Sequence, residues 1–183
     1  MNCLKTISVE RDFGKGRLIL TSVIFSGIYF LLFFTLFRTF LPSVPLVDYG
    51  PFFFIFVLAS VIPLHLIIHC LPLWLSGTKA KCGIRRDQWP YLYYSFDQSI
   101  SKYISITSTI LPAVVITISS IVAVIFFPQY IHYIALISAL NAGLSVFDML
   151  NFKQICMISN QCLIEEHRDG FYILRPIRHE EAN

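Results

Sequence analysis

Two histidines and one aspartate are the residues of this chain whose types and spacing could do chemistry. His65 and His69 stand four positions apart in one long apolar run, and Asp148 stands in another. On a helix, positions i and i+4 share a face one turn apart, so both imidazoles can reach one ion. They cannot act as the two axial ligands of one haem, which approach from opposite faces. Zinc needs a third protein ligand, and Asp148, near the end of the fourth expected span, is the one carboxylate within the spans. Asn141 lies seven residues before Asp148 and shares its face in a continuous helix. Its amide suits a hydrogen bond to a substrate or an oxyanion. Other readings compete. The histidines can be packed polar groups bonded to neighbouring helices, and Asn141-Ala142-Gly143 with Ser145 also suits close helix packing.

The elements that must position these residues follow from composition. The chain has 183 residues, 56% hydrophobic and 14% charged, against about 45–50% and about 25% in a soluble globular chain. That excludes disorder and disfavours an ordinary soluble domain. A net charge of +3 is too small to argue for nucleic acid. Leu18 to Phe37, Tyr49 to Thr78 and Tyr103 to Phe147 carry no Asp, Glu, Lys or Arg over 20, 30 and 45 residues. One spanning helix takes about 20 residues. The third run is therefore two spans, broken near Phe127-Pro128-Gln129. The expected fold is membrane all-α, with helices over about 17–40, 52–75, 103–127 and 130–150.

Thirteen of the 14 Lys and Arg residues fall in the N-terminal tail, the middle loop and the C-terminal tail, and only Arg38 lies opposite. Four spans put those three segments on one face, which the basic excess marks as cytoplasmic. The expected location is the plasma membrane, multi-pass, with both termini cytoplasmic. The expected organisation is a tail over 1–16, a four-helix membrane domain over 17–150 with a cytoplasmic loop 76–102, and a C-terminal tail over 151–183. The first apolar run is too long for a cleavable signal and no A-x-A site follows it, so it reads as an uncleaved anchor. The five Cys form no disulfide framework, since Cys3, Cys82, Cys156 and Cys162 fall on the reducing side and Cys70 lies inside the second span. Lys79 to Ile84 with Trp89 to Phe96 reads as a hairpin whose aromatic residues suit the headgroup layer, or whose edge captures an extended peptide. Gln161 to Glu166 and Phe171 to Arg175, joined through Asp169-Gly170, read as a second hairpin.

Depth tests the constellation. If the second span ends near Leu75, His69 lies about 9 Å and His65 about 15 Å from its inner end. Asp148 lies about 3 Å from the inner end of the fourth span, and a small helix shift levels it with His69. His132 is 16 residues earlier, about 24 Å along the helix, and is excluded. Pro63 and Pro72 can kink the second span beside the histidines.

At these residues the chain resembles the small bacterial membrane zincin-type peptidases, related in layout to site-2-protease-like intramembrane enzymes. That pattern pairs a His-Glu-x-x-His span with a later span carrying Asn and Asp. Here the motifs read His65-Leu66-Ile67-Ile68-His69 and Asn141-Ala142-Gly143-Leu144-Ser145-Val146-Phe147-Asp148. Ser99 to Tyr103, leading to Leu111-Pro112, resembles the family's entry into its third span. The likeness covers roughly residues 50–175. It implies zinc held by His65, His69 and Asp148, and a peptide or membrane-protein substrate or partner in or near the lipid. Leu66 stands where the family's general-base glutamate belongs, and the proline form of the Asn–Asp motif is absent. General acid–base help is worth about 10²–10⁴-fold, so the resemblance implies a weak or inactive peptidase. The alternatives are a membrane adaptor or assembly factor without metal, and a small transporter subunit. The latter ranks last because no inverted repeat is visible.

Overall fold

In hydrocarbon a backbone meets its own hydrogen-bonding needs only as a helix or a closed barrel, so the long uncharged runs fold as helices. The computed structural model describes residues 2–7, 12–41, 44–84, 92–96, 98–159, 162–167 and 170–175. Its four long helices are α1 (Lys15–Phe40), α2 (Pro51–Leu75), α3 (Lys102–Phe126) and α4 (Ile131–Cys156). All four are long and apolar enough to cross a membrane. Their outward faces carry exposed Leu31, Leu32, Ile55, Phe56, Ile118 and Val122, the surface a bilayer would cover.

The ends of the helices follow local rules. Pro51 opens α2, where its missing N–H costs nothing. Gly77, at φ 79°, closes it. There the Gly77 N–H donates to Trp74 O and the Thr78 N–H to Leu73 O, both at 3.0 Å, which is a Schellman stop. The Ser101 hydroxyl caps α3 by accepting from the Ile104 N–H. A short 3₁₀ turn, Pro128–Tyr130, separates α3 from α4 at the expected break.

The expected end of the fourth helix, near residue 150, is corrected: α4 runs to Cys156. Its polar last turns look in sequence like an exit from the membrane, but leaving the lipid does not end a helix. Buried Lys102 donates from Nζ to Cys156 O at 3.1 Å and Ile158 O at 2.6 Å. A cation at a helix C-terminus is also favoured by the helix dipole. Fully buried Ile155 joins Leu73, Ile100 and Ile164 in a core below the bundle.

α4 is the central helix and packs against the other three, whereas α1 docks on α4. Gly143 makes that docking close. A Cβ there would meet Ser22 O and Ser26 Cβ at 3.0 Å. Ser26 Oγ donates to Ala139 O at 2.8 Å, and the Tyr29 and Ser138 hydroxyls pair at 2.9 Å. Small residues let membrane helices approach in this way.

Strands gather at one end of the bundle. β1 (Asn2–Ile7), β4 (Ile100–Ser101), β5 (Leu163–His167) and β6 (Gly170–Arg175) form an antiparallel sheet in the order β1-β6-β5-β4. β2 (Ala80–Ile84) and β3 (Leu92–Phe96) form the middle-loop hairpin. Both hairpins agree with the sequence reading. The N-terminal segment, expected as a tail, contributes strand β1 against β6. Trp89, Tyr91 and Asp169 lie outside the described residues. Cys156 and Cys162 are free thiols.

Candidate metal centre

His65 and His69 point from one face of α2 toward α4. His69 is six residues before Leu75, and Asp148 is eight before Cys156, about 9 Å and 12 Å from the respective helix ends. The longer α4 thus places Asp148 deeper than the sequence suggested, near the level of His69. His65 is 3% exposed, His69 2% and Asp148 6%.

Three side chains converge. His65 Nε2 and His69 Nε2 are 3.0 Å apart. Asp148 Oδ2 is 3.2 Å from His65 Nε2, and Asp148 Oδ1 is 3.3 Å from His69 Nε2. These three residues form a group able to hold a metal ion. For zinc bonds of about 2.0–2.1 Å in tetrahedral geometry, neighbouring ligand atoms stand roughly 3.3 Å apart. The observed separations fit that spacing.

The outer nitrogens decide what the inner ones present. His65 Nδ1 meets Asn141 Oδ1 at 2.9 Å, and His69 Nδ1 meets Ser108 O at 2.7 Å. Carbonyl oxygens only accept, so each Nδ1 carries the proton. In a neutral ring held this way, Nε2 presents its lone pair toward Asp148 and the other imidazole. Asp148 Oδ2 has no hydrogen-bond partner although it is buried. A cation satisfies all three donors at once. Anchoring the far ring nitrogen on a carbonyl is also how metal-binding histidines are oriented.

Asn141 is fully buried and bonded to His65, and its Nδ2 donates to Pro112 O at 3.4 Å. The amide thus links His65 on α2 to Pro112 on α3. Leu66, at the position next to His65, is buried. Among the described residues, Asp148 is the single acidic side chain within α1 to α4. His132 sits at the opposite end of α4, with its ring 4.0 Å from that of Tyr133, and takes no part. Near it, Asp48 in the loop before α2 accepts from Tyr133 Oη and the Gly50 N–H. Those bonds, the tyrosine's first, hold its carboxyl below the ordinary value.

Sequence reasoning missed Ser108. Its hydroxyl donates to His69 O at 2.6 Å while its carbonyl accepts from the same residue's ring, a reciprocal link between α2 and α3. The available signal was a serine four residues before a proline, a spacing that opens a helix carbonyl.

Fold and site together define a class: a four-helix membrane protein with a buried His-His-Asp cluster between three of its helices. The family described as "Putative zincin peptidase" matches residues 58–163, more than half of the chain, and the chain belongs to that family. The match spans His65, His69, Asn141 and Asp148. No curated protein and no solved structure matches the chain.

Proposed function

We propose that this protein holds a zinc ion with His65, His69 and Asp148 and is a zincin-type membrane protein with weak or no peptidase activity. The observation that carries the reading is the shared aim of two Nε2 atoms and a buried carboxylate, each ring anchored at its far side by a carbonyl. When bound, zinc supplies Lewis-acid polarisation of a carbonyl and acidifies a water toward neutral pH. The chain's own residues supply the rest. His65 and His69 bind, Asp148 neutralises charge, and Asn141 and Ser108 orient the rings.

Among the described residues, the site has no proton acceptor beyond the three side chains assigned to the metal. Leu66 occupies the position of the family's glutamate and can take no proton, so its absence is worth about 10²–10⁴-fold in rate. The bound occupant is then a peptide or membrane-protein partner that is retained more readily than cut. The helix ends on the strand-bearing side carry Lys15, Arg17, Lys79, Lys81, Lys102 and Lys153. That supports a cytoplasmic location for this side, in a bacterial plasma membrane.

The test is metal content by mass spectrometry of detergent-purified protein beside His65→Ala and Asp148→Ala. About one zinc per chain in the wild type, lost in both variants, is the expected result. No zinc after metal-supplemented purification would refute the reading and leave a metal-free membrane adaptor as the better account. Once zinc is established, Leu66→Glu restores the proton acceptor. A transmembrane peptide mixture cut by that variant, and not by wild type, is the expected outcome.

A further inference from the structure

The tethers behind the two histidines share one origin. In an α-helix the N–H of residue i donates to the carbonyl of residue i−4. For the Ser108 carbonyl that donor would be the N–H of residue 112. Residue 112 is proline, inside α3 and fully buried. Proline has no N–H, and its ring pushes away the carbonyl four residues back. The Ser108 carbonyl is thereby released from the helix ladder, and it is this oxygen that accepts from His69 Nδ1 at 2.7 Å. The Pro112 carbonyl in turn accepts from Asn141 Nδ2. That contact turns the amide so that Oδ1 faces His65 Nδ1 at 2.9 Å. One turn of α3, Ser108 to Pro112, thus selects the tautomer of both rings.

We infer that Pro112 is a positioning residue of the metal centre, releasing the Ser108 carbonyl to orient His69 and holding the Asn141 amide that orients His65. The metal part of this inference rests on the zinc reading above; the tautomer part does not. A proline that merely bends α3 would move helices without dictating which ring nitrogen is protonated.

The experiment is nitrogen-15 NMR of histidine side chains in the metal-free protein, which separates protonated from bare ring nitrogens, with zinc affinity measured by chelator competition. In wild type both rings are expected to be protonated at Nδ1. Pro112→Ala restores an N–H that competes for the Ser108 carbonyl. His69 then becomes a mixture of tautomers, and zinc affinity falls about tenfold or more. Asn141→Leu removes the other acceptor and is expected to mix His65 alone. Ser108→Ala deletes the hydroxyl, keeps the carbonyl, and is expected to leave the His69 tautomer intact. Wild-type His69 with a bare Nδ1 overturns the inference, even if Pro112→Ala fails to fold. So does a folded Pro112→Ala protein with an unchanged His69 and unchanged zinc affinity. A wild type with both Nδ1–H tautomers but no zinc uptake overturns the metal reading and supports the orienting role of Pro112.

Discussion

Replacing Asp148 by asparagine isolates what the carboxylate contributes, because the two side chains match in shape. The carboxylate reaches both rings, at 3.2 and 3.3 Å, and is the one anionic ligand. A four-ligand structural zinc site binds with about 10–16 kcal/mol, so one ligand carries about 3 kcal/mol. At 1.4 kcal/mol per tenfold, zinc affinity should fall about 10²-fold. Thermal melting in detergent reads this directly. At free zinc of about 100 times the wild-type Kd, binding stabilises the wild type by about 2.7 kcal/mol. For a chain of this size that is a rise of roughly 5–11 °C. The variant at the same zinc is half saturated and gains about 0.4 kcal/mol, a rise of roughly 1–2 °C. Asp48→Asn, in the loop before α2, controls for charge loss and should keep the full zinc response. An Asp148→Asn protein whose zinc-induced rise equals that of wild type would refute the ligand assignment.

Other perturbations probe the frame around the site. Lys102→Met removes two charge-assisted bonds to Cys156 O and Ile158 O; a loss of about 2–4 kcal/mol is expected in denaturant titration. Gly143→Ala drives a Cβ against Ser22 O and Ser26 Cβ at 3.0 Å. Its overpacking should cost about 1–3 kcal/mol and spare zinc stoichiometry, because the α1 contact lies on the other side of α4 from Asp148. Asp48 titrates below its ordinary value of 3.8. Its stabilising contribution is therefore present above that value and lost as pH falls through the depressed one. Melting curves from pH 6 down to pH 3 should show wild type losing its advantage over Asp48→Asn at the acid end, and a constant difference would contradict the assignment.

Much of the architecture was legible in the chain because a bilayer imposes simple rules. Uncharged runs of 20, 30 and 45 residues can be helices and little else. Phe127-Pro128-Gln129 marks the one break, and Asp169-Gly170 marks a hairpin. The i, i+4 spacing put His65 and His69 on one face without knowledge of any neighbour. The end of α4 was not legible, since Asn151, Lys153 and Gln154 look the same in a helix leaving the membrane as in a loop. Only Lys102, 54 positions away, shows why the helix continues to Cys156. Strand β1 was hidden for the same reason, as its partner β6 lies at the other end of the chain.

Composition and spacing by themselves determined four apolar helices, a pair of imidazoles on one of them and the absence of a glutamate between them. Tertiary structure decided what those groups face. It brought Asp148 within 3.3 Å of both rings and set the Asn141 amide oxygen against His65 Nδ1. It also made the Ser108 carbonyl the acceptor for His69. The physical reason is that helix periodicity is local and is written in residue types. The choice of which ring nitrogen carries a proton depends on an acceptor from another helix, and only packing supplies it.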